Sequence, residues 1–262
     1  MKRALVLVLA LSALPAAAAE AEEGALVEKV AVRNKLFTTA GRFEIGANFG
    51  FAVLTQLTEH YTGNLNVSYN FVETFAVELL AGGSYSRHTS LAGDVADQFV
   101  GTNTMTADDM TNLWEMVAHG VVGLRWQPLY GKIGGLLQDV LFGNPIHFQL
   151  YVSLGGGAGY FQRQSVVICN RKVGSSCEDY YKQATVGPIV TAALGWRLFL
   201  PVVGNHHSLR VEIRDFSYLD SYYVGVNRNI AATNPDNPTG NGTEVGGITN
   251  LVQVQVGYSF MF

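Results

Sequence analysis

Ionisable side chains recur at alternate positions of this sequence, and that spacing limits the chemistry they could do. Arg42 and Glu44, then Glu78, then Glu115, His119 and Arg125, then Arg197, Arg210, Glu212 and Arg214 are interleaved with apolar or small residues. In a strand, residues two apart share one face. Carboxylates, guanidiniums and imidazoles on one face can pair, relay protons or act as general acids and bases. Here four acids stand against five arginines, close to charge balance. Buried charge is costly unless paired. The set is therefore expected to form a cross-strand ion-pair network rather than a catalytic centre.

Other chemistry finds weaker support. His119 and His147 are the only histidines within strand-like runs; His60 and His88 fall at loop edges, and His206 and His207 in a turn. None has the spacing of a zinc site. Ser153 faces the same way as His147, but the His-x-Ser-Asn stretch of lipid A deacylases does not occur. No catalytic, cofactor-binding or metal-binding residue is assigned, and no cofactor is expected. Asp94, Asp97, Asp108 and Asp109 lie in one loop without the spacing of an EF-hand. They read as a solvated acidic loop. Gly155 to Gly159 lacks the Lys-Ser/Thr of a phosphate loop and reads as a close-packed strand. Cys169 and Cys177 are expected to form a disulfide closing a small loop in an oxidising compartment.

The elements that must position these groups alternate with period two. Eight strands are expected near 42–51, 61–71, 75–87, 114–127, 146–162, 183–199, 208–218 and 251–262. On each, one face is apolar and the other polar. In the fourth, Trp114, Met116, Ala118, Val122, Leu124 and Trp126 oppose Glu115, His119 and Arg125. An apolar outer face and a polar lumen are the pattern of a transmembrane barrel. The expected fold is all-β, an eight-stranded antiparallel outer-membrane β-barrel with a side-chain-filled lumen, since eight strands enclose just enough room for side chains.

Both ends of the sequence agree. Lys2 and Arg3, the apolar run 4–14 and the small residues 16–19 form a signal peptide over 1–19. A periplasmic segment over 20–41 and the barrel over 42–262 follow. Tyr258, Phe260 and Phe262 alternate up to the last residue, which resembles the signal read by the barrel-assembly machinery. Long connections at 52–60, 88–113, 163–182 and 219–248 are expected outside, and short turns at 72–74 and 201–207 in the periplasm, with both termini. The connection 128–145 is longer. Its Ile133, Leu136, Leu137, Val140 and Leu141 have the spacing of an amphipathic helix, packed on the rim or offered to a periplasmic partner.

A net charge of −4, with 15% charged residues, argues against nucleic-acid binding, which uses a basic face. The partners expected are outer-membrane lipid and the assembly machinery.

The stretch Val30-Ala-Val-Arg-Asn-Lys-Leu-Phe-Thr-Thr-Ala-Gly-Arg-Phe-Glu44 resembles the approach to the first strand in a β-barrel family abundant in myxobacteria and related delta-proteobacteria. Tyr69-Asn-Phe71 and Pro128-x-Tyr-Gly-Lys132 are similar to that family in the same way. The resemblance implies a non-catalytic envelope component. A few members are similar to barrels of the gliding apparatus, which implies other barrels, lipoproteins and periplasmic motility proteins as partners. The leading expectation is thus a scaffold or adhesion subunit of an envelope-spanning complex. The alternatives are a stand-alone barrel of the OmpA or OmpX type and a narrow pore.

Overall fold

The computed structural model describes residues 38–262 apart from 56, 102–105, 110–112, 134–145, 174–175, 201–205, 235 and 238. The signal peptide, most of the segment before the first strand and the Val30 to Phe37 part of the family-like stretch lie outside the described residues.

Period-two alternation becomes strand throughout. In chain order the elements are β1 (Arg42–Ala52), β2 (Thr58–Asn70), β3 (Phe75–His88), α1 (Ser90–Gly101), β4 (Thr106–Ala107), β5 (Trp114–Ile133) and β6 (Ile146–Val173). They continue with β7 (Ser176–Leu200), β8 (His207–Val224), β9 (Val226–Asn227), α2 (Arg228–Thr233) and β10 (Thr243–Met261). Eight of the strands close into one antiparallel barrel in the order β1-β10-β8-β7-β6-β5-β3-β2. The short β4 and β9 pair with each other. Closure falls between the ends of the sequence. Glu44 lies opposite Met261, and Phe43 and Phe262 exchange backbone hydrogen bonds of 3.1 and 2.9 Å. A closed ladder leaves no free edge, which hydrocarbon would not tolerate.

The outer wall is apolar. Phe49, Leu65, Leu79, Val122, Leu124, Leu154, Val190 and Ile213 are each about half exposed or more. On a soluble protein such a surface would be a liability; on a closed barrel it is the lipid-facing band. At the Phe262 end an aromatic girdle packs ring on ring, with Phe43 4.7 Å from Tyr69 and 6.1 Å from Phe262. Trp126, Trp196, Tyr258 and Phe260 extend it. Phe51, Tyr61, Tyr85 and Tyr160 ring the opposite end. The first and last outward apolar residues on β8 are Leu209 and Leu219. At a rise of ~3.3 Å and a tilt of about 40°, that span is about 25 Å, the height of a membrane-barrel band. The chain is therefore an eight-stranded transmembrane barrel.

Several strands outrun their expected ends. β6 and β7 continue as a two-stranded ribbon through most of 163–182, where the sequence suggested a loop. The β-forming Val166, Val167 and Ile168 and Tyr180 and Tyr181 flank Gly174-Ser175, a hairpin pattern. β8 and β10 likewise extend to Val224 and Thr243. β5 runs through Pro128 to Ile133, which lies opposite Ile146. Ile133 is therefore strand, not the start of a helix. Leu136, Leu137, Val140 and Leu141 lie outside the described residues.

Candidate functional site

Three layers of side chains fill the barrel. The first, nearer the Phe262 end, is ionic. Glu44, Glu78 and Glu212 face Arg125, Arg197, Arg210 and Arg214, all fully buried or nearly so. Glu44 accepts from Arg125 Nη2 at 2.7 Å, from Ser259 Oγ at 2.6 Å, from Ser68 Oγ at 3.2 Å, and from Arg197 Nη1. Glu78 accepts from Arg125, Arg210 and Arg214 at 3.1, 3.1 and 2.9 Å. Glu212 accepts from Arg214 Nε at 2.8 Å and from the Tyr151 hydroxyl at 2.5 Å. Arg197 also donates to Gln127 and Gln149. All eight barrel strands contribute, so each charge meets partners from across the lumen. That is how buried ions offset desolvation. Tyr151 lies beneath two guanidiniums, 5.6 Å from Arg125 and 5.3 Å from Arg210. Its ring can sit there because β7 carries Gly195 opposite; an added Cβ at Gly195 would be 2.5 Å from the ring.

The second layer is a file of amides and hydroxyls. Every inward residue of β2 is polar and buried: Thr58, His60, Thr62, Asn64, Asn66, Ser68 and Asn70. Ser84 bonds Thr62 at 3.0 Å, Gln253 donates to Thr62 at 2.8 Å, Gln255 to Gln253 at 3.0 Å, and Asn64 to Gln255 at 3.2 Å. The opposite wall is apolar. Leu80, Trp114, Met116, Val121, Phe161, Ile189, Phe216, Tyr218 and Leu251 form one buried cluster. Phe161 stacks on Tyr218 at 4.5 Å.

The third layer is a cap at the end away from Phe262. Leu113, Ile168, Val226 and Ala231 make a second core, with Leu57, Val95, Tyr181 and Tyr223 packed on it. These residues come from all four connections at that end. Asp109 pairs with Arg163 at 2.8 Å, both side chains buried, and its backbone N–H donates to Tyr223 O at 2.7 Å. Trp114 Nε1 donates to Ser221 O at 3.0 Å. Gly225 N donates to Asp108 at 2.7 Å. Ser165, Tyr181, Gln183 and Tyr223 surround the Asp109–Arg163 pair and leave a recess too tight to hold a small molecule.

The sequence-derived residues divide accordingly. Glu44, Glu78, Arg125, Arg197, Arg210, Glu212 and Arg214 meet in the ionic layer. Glu115 does not. A register shift between Met116 and Ala118 reverses the parity of β5 above it. Trp114 and Met116 therefore point inward. Glu115 takes the other face, its carboxylate 3.8 Å from His88 Nε2. Arg42 is half-buried at the rim, its carbonyl accepting from Asn70. His119 is buried above the ionic layer, its ring 4.9 Å from Phe216. His147 bonds the Tyr130 hydroxyl at 2.5 Å. Asp108 and Asp109 tie the cap together instead of being solvated, whereas Asp94 is exposed on α1. The Asp97 side chain and the Cys169 and Cys177 side chains lie outside the described residues. The backbone register places Cys169 opposite Tyr180 and Cys177 opposite Lys172. Among the described residues no group of three or more His, Cys, Asp or Glu could hold a metal ion.

No protein-family model matches this chain, and no curated protein matches it. Among solved structures it is similar to a major outer membrane protein from Thermus thermophilus, at 11% identity and a TM-score of 0.39, covering 84% of this chain and 99% of that one. It is also similar to the outer membrane protein OprG from Pseudomonas aeruginosa, at 9% identity and a TM-score of 0.31, covering 87% and 98%. At those scores the fold rests on the strand pairing above.

Proposed function

We propose that this protein is a stand-alone structural barrel of the bacterial outer membrane, non-catalytic and closed to solutes, working through its folded cap. The observation that carries this reading is the stacking of ionic layer, apolar cluster and cap along one lumen. The cap faces outward in this reading and both termini face the periplasm, which fits the short connection at 71–74 beside Phe262. Tyr258, Phe260 and Phe262 lie on the lipid face of the strand that closes the ring, where assembly machinery could engage them. The cap is the surface through which an extracellular ligand or partner would be held.

A scaffold or adhesion subunit of a gliding complex would use the same cap outside and the 134–145 connection on the periplasmic side. The closed lumen and self-contained cap favour the stand-alone barrel. Planar-bilayer recording tests closure: no unitary conductance steps are expected, and steady ion flow would overturn it. Affinity purification from mildly solubilised envelopes should return the barrel alone. Stable recovery of lipoproteins and periplasmic motor proteins would move the assignment to the scaffold.

A further inference from the structure

The lipid-facing band of β8 is interrupted. Outward residues run Leu209, Val211, Ile213, then Asp215 and Ser217, then Leu219. Asp215 is not simply above the membrane, because apolar residues continue beyond it: Leu219 is 61% exposed and Ile248, its direct partner on β10, 73%. Six residues above Leu209, Asp215 sits roughly 15 Å up a band of about 25 Å. A carboxylate at that depth on the lipid side is costly and marks a functional position by default.

Its nearest outward neighbours on β8 and β10 make a polar notch in the pattern of the band, an interruption in its apolar residues. Ser217 Oγ donates to Asp215 Oδ2 at 2.9 Å, while Oδ1 is buried without a hydrogen-bond partner among the described residues. Asn250 lies directly opposite Ser217 and is exposed. The neighbours of Asp215 across the two ladders are Ala192 and Val252, neither of which can pair with the carboxylate. Just above, the β7–β8 ladder ends at Ile189 and Tyr218, next to Pro188, which has no N–H to donate.

We propose that Asp215, Ser217 and Asn250 form a lateral binding site for an outer-leaflet lipid with hydrogen-bond donors near its acyl linkages, an amide-linked or hydroxylated acyl chain. An aspartate carboxylate only accepts, so the site favours a ligand that donates to it. Lipid linkages lie at the boundary between headgroup and hydrocarbon, the level the notch reaches from below. A second copy of the chain is the poorer occupant. A two-fold contact at this face would bring one Asp215 toward its mate, and like charges in low dielectric repel strongly. Placement in the outer leaflet rests on the orientation proposed above; the chemical selectivity does not.

The test uses the full barrel in mild detergent, so it reads selectivity whichever end faces outward. Wild type, Asp215→Leu and the Asp215→Ala/Ser217→Ala variant are mixed with an amide-linked 3-hydroxyacyl glucosamine disaccharide or with dioleoyl phosphatidylethanolamine. Retained lipid is counted by native mass spectrometry after detergent exchange. Wild type should keep one glycolipid, at least tenfold more than the phospholipid. Both variants should fold, shown by heat-modifiable gel mobility, and lose that preference. Asp215→Leu restores an apolar band, which guards against loss by misfolding. Equal retention by the variants, or no preference in wild type, overturns the proposal. A cross-linked dimer that requires Asp215 overturns it in favour of contact between copies. Accessibility of cap residues on whole cells tests the orientation separately.

Discussion

Arg125 on β5 reaches across the lumen to Glu44 on β1, a strand it does not adjoin, with Nη2 2.7 Å from Oε2. Both side chains are inaccessible to solvent. The same Glu44 oxygen also pairs with Arg197 on β7. One carboxylate thus holds two guanidiniums from different strands, and its removal strands both.

Glu44→Ala is expected to cost about 3–5 kcal/mol, because it leaves uncompensated charge buried in a low dielectric. Arg197→Met in the same background should recover part of that loss by removing one of the stranded charges. Urea unfolding of the barrel in lipid vesicles, followed by tryptophan fluorescence, measures both. A Glu44→Ala barrel as stable as wild type would show that the layer is incidental to stability.

Tyr151 and Gly195 make a second coupled pair. The tyrosine ring occupies the space a side chain at Gly195 would need, with the Tyr151 hydroxyl 2.6 Å from the position of an added Cβ. Gly195→Ala should therefore push Tyr151 off Glu212 and destabilise the barrel by about 1–3 kcal/mol, as overpacking does. In a Tyr151→Ala background the same substitution should cost much less. The non-additivity of a double-mutant cycle is the measurement, and simple additivity would contradict the packing described.

How far the sequence could be read depends on where each residue stands relative to β5's bulge. Arg125 lies beyond it and its inward direction follows from plain alternation. Glu115, Met116 and Trp114 lie on the other side, where a single extra residue moves every side chain to the opposite face. No local pattern marks that bulge, so Trp114 and Met116 read as lipid-facing and the apolar cluster stayed hidden. β2 was legible from Tyr61 onward, since Asn64, Asn66 and Ser68 alternate without interruption with Leu65 and Val67, whereas its start at Thr58 to His60 read as loop. The cap was not. Thr106–Ala107 pairs with Val226–Asn227 across more than a hundred residues, and Asp109 becomes buried only because Arg163 is carried to it by a strand longer than expected.

The cap leads to the last prediction. Asp109 and Arg163 join the 89–113 connection to the β6–β7 ribbon, and Trp114 Nε1 fixes the start of β5 to the carbonyl of Ser221. These contacts lie at the end of the barrel away from the ionic layer, and among the described residues they are separate from the ion pairs of Glu44, Glu78 and Glu212. Asp109→Ala should therefore loosen the cap without unfolding the barrel. It leaves Arg163 buried beside Tyr223, 6.0 Å from the ring, without its carboxylate, a loss of order 3 kcal/mol for the cap. Limited proteolysis reads the two parts separately. The variant should be cleaved in the 89–113 and 225–242 segments at least tenfold faster than wild type, while the heat-modifiable core band stays intact and unfolds at an unchanged urea concentration. Joint loss of cap and barrel would mean that the outer core and the lumen fold as one cooperative unit, and protection equal to wild type would mean that the apolar cluster of Leu113, Ile168 and Val226 holds the cap without the ion pair.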